Sequence, residues 1–117
     1  MVKSKFISAA FLAASLATIT HSGVAGGMSG EVFLDLCTNN EALCQYYAVG
    51  VLDGANMVAW AANLRLHTCP PNSVSGEQIG KIVLKYLQDH PEELNRRYAS
   101  YLVNKALVEA FPCREDK

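Results

Sequence analysis

Four cysteines, Cys37, Cys44, Cys69 and Cys113, limit what this chain can become more than any other feature. What they do depends on the compartment the chain reaches, and its first 25 residues speak to that. Lys3 and Lys5 precede an apolar run over residues 6–19. Gly23 and Ala25 follow with the small-residue spacing of a cut after Ala25. A positive start, a short apolar middle and a small-residue exit are the pattern of a cleaved secretory leader. The run is shorter than the roughly 20 residues a membrane-crossing helix requires. The first cysteine stands well beyond the cut, which argues against a lipid-anchored product. The expectation is a leader over 1–25 and one small exported domain over 26–117.

In an oxidising space, an even number of cysteines in a short chain reads as a disulfide framework. Zinc ligands instead come as pairs separated by about two to four residues. Here the intervening segments hold 6, 24 and 43 residues, and no histidine pair accompanies them. Losing Lys3 and Lys5 leaves 8 of the 10 basic residues against 11 acidic ones, a net charge of −3. No basic stripe remains to bind nucleic acid or an anionic membrane.

Apolar residues recur at helical rather than strand spacing. Ser29 is placed to cap a first helix over 30 to about 37, with Val32, Phe33 and Leu36 facing inward. Asn39 and Asn40 form a turn and offer the next cap. A second helix is predicted from Glu41 to about Leu66, with an inward stripe of Leu43, Tyr47, Gly50, Val51, Gly54 and Val58 that Met57, Ala61 and Leu64 widen. Gly50 and Gly54 stack on one face, which predicts a closely packed neighbouring helix there in preference to a bend in the helix. His67 to Asn72 cannot be helical through Pro70 and Pro71. Ser75 and Gln78 form a capping box. Ile79, Ile82, Val83, Tyr86 and Leu87 then mark a third helix that stops near His90. Pro91 opens a fourth, with His90 as its cap, running to Phe111. Leu94, Tyr98, Tyr101, Leu102, Ala106 and Val108 are its predicted inner side. The expected class is all-α, a small four-to-five-helix bundle with two disulfides.

The second helix also selects the cysteine pairing. From Cys44 to Leu66 a straight helix covers about 33 Å, whereas bridged Cα atoms lie roughly 4.4–6.8 Å apart. Cys44, and Cys37 tethered beside it, are therefore out of reach of Cys69. The pairs are Cys37–Cys44 and Cys69–Cys113.

Catalytic equipment is sparse. His67 reads as a loop residue, and two histidines on separate elements do not make a site. Neither a nucleophile elbow nor a zinc-peptidase motif nor a phosphate-binding loop occurs. Asp53 is isolated on an apolar helix. Glu92, Glu93, Arg96 and Arg97 read as a solvated face, and the five tyrosines as half-buried core. No cofactor or metal is called for, and binding is favoured over chemistry.

Several segments carry a family resemblance. They are Leu34-Asp35-Leu36-Cys37, Cys44 with residues 47–54, Cys69-Pro70-Pro71, Tyr86-Leu87 with His90-Pro91, and Phe111-Pro112-Cys113. In this order and spacing the chain resembles the Rap/Tai family of type VI secretion immunity proteins. The resemblance implies a periplasmic, all-helical, non-enzymatic protein that binds and inhibits a toxic effector, often a peptidoglycan amidase, delivered by sister cells. It also admits a homodimer. Effector-contacting residues vary with the toxin, so none is carried across. The residues themselves single out the segment 63–75, pinned by Cys69 and stiffened by two prolines. Asn63, Arg65, His67 and Asn72 are its candidate partner-binding residues. The competing reading is a periplasmic acid-stress chaperone, which would expose apolar surface as its acidic residues protonate.

Overall fold

The computed structural model describes residues 27–115; the leader expected over 1–25 lies outside them. Four α-helices follow in order: α1 (Gly30–Asn39), α2 (Glu41–Ala61), α3 (Gly76–Asp89) and α4 (Ala99–Ala110), with a 3-10 turn at Pro91–Glu93. Among the described residues there is no strand, and two isolated bridges, Ser29 with Tyr98 and Thr68 with Pro112, stitch the ends of the bundle. The all-α expectation holds.

The local signals act as their chemistry requires. The Val32 amide donates to Ser29 Oγ at 3.3 Å and the Leu43 amide to Asn40 Oδ1 at 3.0 Å, satisfying donors left over at the starts of α1 and α2. At α3 the capping box is reciprocal: the Gln78 amide donates to Ser75 Oγ at 3.2 Å and the Ser75 amide to Gln78 Oε1 at 2.9 Å. The centre of the bundle is closed by Phe33, Val83, Leu87, Leu102, Val103 and Leu107, all essentially solvent-free. Each such side chain contributes roughly 1.5–3 kcal/mol by leaving water. Both disulfides pair as the geometry required, Cys37 with Cys44 at a Cα separation of 4.6 Å and Cys69 with Cys113 at 4.9 Å.

Four expectations change. First, α2 ends at Ala61 rather than near Leu66. Asn63 takes the left-handed conformation with φ 52°, and the Leu64 amide reaches back to the Ala59 carbonyl at 2.8 Å. That is a helix stop with asparagine in the place glycine usually takes.

Second, α2 turns a different stripe inward. Cys44, Ala48, Leu52 and Ala59 are buried, while Leu43, Met57, Val58, Ala61 and Leu64 are exposed. A Cβ added at Gly50 or Gly54 would meet nothing within 4 Å, so no neighbour packs there. The close helix approach is at Gly80 of α3, where a Cβ would lie 3.3 Å from the Gln45 Cα.

Third, residues 94–98 are not helical. The Leu94 and Arg97 carbonyls accept from the Glu31 and Gly30 amides at 3.2 and 3.1 Å, and the Ala99 amide donates to the Met28 carbonyl at 2.7 Å. Docking the start of α1 outweighs continuing the helix from Pro91. His90 makes no side-chain cap there.

Fourth, Val32, Tyr46, Tyr98 and Tyr101 are exposed rather than core, and Glu93 pairs with Lys105 rather than with an arginine on a solvated face.

Candidate functional site

The segment 62–75 leaves α2 at the Asn63 stop and enters α3 at the Ser75 cap. Its middle is fastened to the end of α4. The Cys69 amide donates to the Phe111 carbonyl at 2.8 Å, Thr68 pairs with Pro112 and is buried, and the Cys69–Cys113 bridge lies alongside. Beyond Pro70, the Val74 amide closes a turn onto the Pro71 carbonyl at 3.0 Å. Two prolines, a bridge and these hydrogen bonds leave the segment little freedom to lose on binding.

Asn63, Arg65, His67 and Asn72 are all exposed. The structure brings two of them together. Arg65 and His67 line both of two open recesses at this end of the molecule. One, of about 620 Å3, lies between α2 and α4 and is walled mainly by Val51, Val58, Leu64 and Tyr101. The other, of about 530 Å3, lies over the bridge and includes Leu66, Pro112 and Arg114. Asn63 and Asn72 line neither. Asn63 serves the helix stop, and Asn72 sits in the turn before α3. The sequence did not single out Leu64, Tyr101 or Arg114. Tyr101 fits a helical core pattern equally well, and Arg114 stands in the short charged stretch after Cys113.

A third recess, of about 330 Å3, lies at the opposite disulfide, between Cys44, Gln45 and Lys81. Lys81 pairs with Glu77 at 2.5 Å across its rim.

Among the described residues, one interlocked polar cluster joins α3 to α4. Lys105 Nζ donates to Glu93 Oε1 at 2.6 Å, and Tyr86 Oη donates to Glu93 Oε2 at 3.5 Å. The His90 ring stacks on Tyr86 at 4.0 Å and meets the Tyr86 carbonyl through Nδ1 at 2.8 Å. A carbonyl only accepts, so Nδ1 carries the proton. The hydrogen bond from Lys105 holds the Glu93 carboxyl below its ordinary range, the same contact raises the Lys105 ammonium, and burial raises the Tyr86 phenol. Lys105, Glu93 and Tyr86 bond to one another and His90 Nδ1 bonds to backbone, so the cluster acts as a brace. Among the described residues, no group of three or more His, Cys, Asp or Glu side chains is placed to hold a metal ion. None of the described helices is long and apolar enough to cross a membrane.

No curated protein and no solved structure matches this chain. The family model of the Rap1a immunity proteins matches residues 29–113. That span opens on the Ser29 cap and closes on Cys113, so it takes in all four helices and both bridges. The chain belongs to the Rap1a immunity protein family.

Proposed function

We propose that this protein, exported as a domain over 26–117, works in the periplasm as an inhibitor of a secreted effector enzyme, and that it blocks that enzyme with the segment 63–75. Membership of an immunity family supports binding to a cognate effector. The observation that carries the mode of binding is Arg65 and His67 standing exposed between two recesses, on a stretch covalently fastened at Cys69. A stiff, polar-tipped projection with apolar hollows on both sides suits an enzyme cleft: the tip enters and the hollows receive the cleft's rims. Arg65, with its rigid fork of donors, is the residue fitted to a carboxylate. Asn63 positions the projection, and Asn72 extends its reach toward α3. The effector class that fits the resemblance is a type VI-delivered peptidoglycan hydrolase of the amidase kind.

The test is inhibition of a cell-wall hydrolase captured from the native bacterium by the purified protein. Changing Arg65→Glu, His67→Ala and Asn72→Ala together is expected to weaken inhibition by roughly 30-fold or more, as for truncated interface anchors worth about 2 kcal/mol. The melting temperature should stay unchanged, since all three side chains are exposed. Full inhibition by the triple variant would discard this segment as the inhibitory element.

A further inference from the structure

The cations of this chain divide by kind. Among the described residues, Lys81, Lys85 and Lys105 each pair with a carboxylate, whereas no ion pair holds Arg65, Arg96, Arg97 or Arg114. All four arginines are exposed. Three of them gather about the recess between α2 and α4 and its neighbour over the bridge. Arg65 lines both, Arg114 lines the second, and the Arg97 guanidinium stands 4.9 Å from the centre of the Tyr101 ring that walls the first. No carboxylate lines the α2–α4 recess, and Glu115 lines the other. The recess itself is apolar and, at about 620 Å3, within the roughly 300–1,000 Å3 of clefts that hold ligands. Gly54 keeps it deep: the residue lines the hollow, and a Cβ there would meet nothing within 4 Å. A mid-helix glycine weakens α2, and nothing within the protomer fills the space it leaves.

We infer that the α2–α4 recess seats an apolar side chain from an acidic segment of the effector, with carboxylates beside that side chain reaching Arg65 and Arg97. The walls set both requirements. Val58 and Leu64 are each 62% exposed and leave water only under an apolar occupant. The planar fork of arginine matches a carboxylate, and no carboxylate of the described residues supplies one. A basic segment would meet guanidinium groups of its own sign, so the same residues that attract an acidic partner turn others away. This inference deepens the inhibitor reading and rests on it for the source of the segment; the chemistry of the surface is measurable with no effector present.

The experiment is a titration of the isotope-labelled, disulfide-bonded protein, followed through its amide nuclear magnetic resonance signals. The probe is a capped hexapeptide with leucine and phenylalanine between two pairs of glutamates. Shifts are expected at Gly54, Leu64 and Tyr101. The dissociation constant should be at least about tenfold lower than for the same peptide carrying lysines, or carrying alanines in place of leucine and phenylalanine. Gly54→Leu should fill the hollow with its own side chain and weaken the glutamate peptide about tenfold or more. It should melt no lower than wild type, since leucine favours helix over glycine and its Cβ meets open space. Absence of shifts at these residues with the glutamate peptide would overturn the inference. So would equal binding of the lysine or alanine peptide, or a Gly54→Leu variant that binds as the wild type does. No hydrolase takes part, so each of these failures is distinct from a failure of the inhibitor reading.

Discussion

One added methyl group divides the glycines of this chain into opposite classes. At Gly30 it would lie 2.7 Å from the Leu94 carbonyl oxygen and 2.8 Å from the Leu94 Cα, with Leu102 Cδ1 at 2.6 Å. Two of those atoms are backbone and cannot swing aside, so Gly30→Ala should destabilise the fold by about 1–3 kcal/mol. At Gly54 it would meet nothing. Gly54→Ala should therefore raise protomer stability by about 0.5–1 kcal/mol through helix propensity alone. Thermal melts of the two variants should move in opposite directions. Glu93 gives a pH-dependent counterpart. Its folded carboxyl is held below the ordinary range, so its contribution is present above that range and fades as pH falls through it. Lys105, shifted upward, contributes below the ordinary lysine range and loses its effect in strong alkali. Melting temperature plotted against pH should accordingly fall less steeply on the acid side for Glu93→Gln than for wild type. At this scale the sequence was readable wherever a side chain caps the backbone locally, as at Ser29, Asn40 and Ser75. Asn63 escaped because asparagine tolerates several backbone conformations, and here the turn after α2 selected the left-handed one.

Among the elements, α3 was legible and α2 only half so, for a single reason. In α3 the apolar positions form one stripe against polar residues, and Ile79, Val83, Tyr86 and Leu87 are buried as their spacing requires. Apolar residues surround α2, so periodicity marks a helix without saying which side faces in. The buried stripe lies about a third of a turn from the one expected, at roughly 100° per residue. Residues 94–98 were misread because their carbonyls are claimed by α1, a contact remote in sequence. The cysteine pairing succeeded because α2, even shortened to Ala61, keeps Cys44 far from Cys69. The bridge closing the longer loop should matter more. In the chain-entropy model, joining cysteines 44 positions apart is worth roughly 4 kcal/mol, against about 2.5 for the pair 7 apart. Replacing Cys69 and Cys113 together by serine should lower the melting temperature more than the same change at Cys37 and Cys44, as calorimetry can determine.

For the molecule as a whole, the uncovered side of α2 and the segment 63–75 adjoin, since Gly54, Val58 and Leu64 line the same recess as Arg65 and His67. The segment 63–75 projects where α2 ends, and the uncovered side of α2 runs along its length. The sequence exposed the first through its prolines and cysteine. It hid the second, because an apolar stripe on a helix looks the same whether it faces a core or stands exposed. Both disulfides belong to that organisation, yet only Cys69–Cys113 reaches the projecting segment. On the proposed reading, in which the domain is exported, the stretch around Cys69 would keep its hydrogen bond to Phe111 among the glutathione-reduced thiols of the cell interior but lose its covalent anchor. The protein would then acquire its working stiffness only after crossing into oxidising surroundings. Sulfur chemistry would thus serve as an address check, arming the guard at the place where the attack arrives and leaving it slack where none can come.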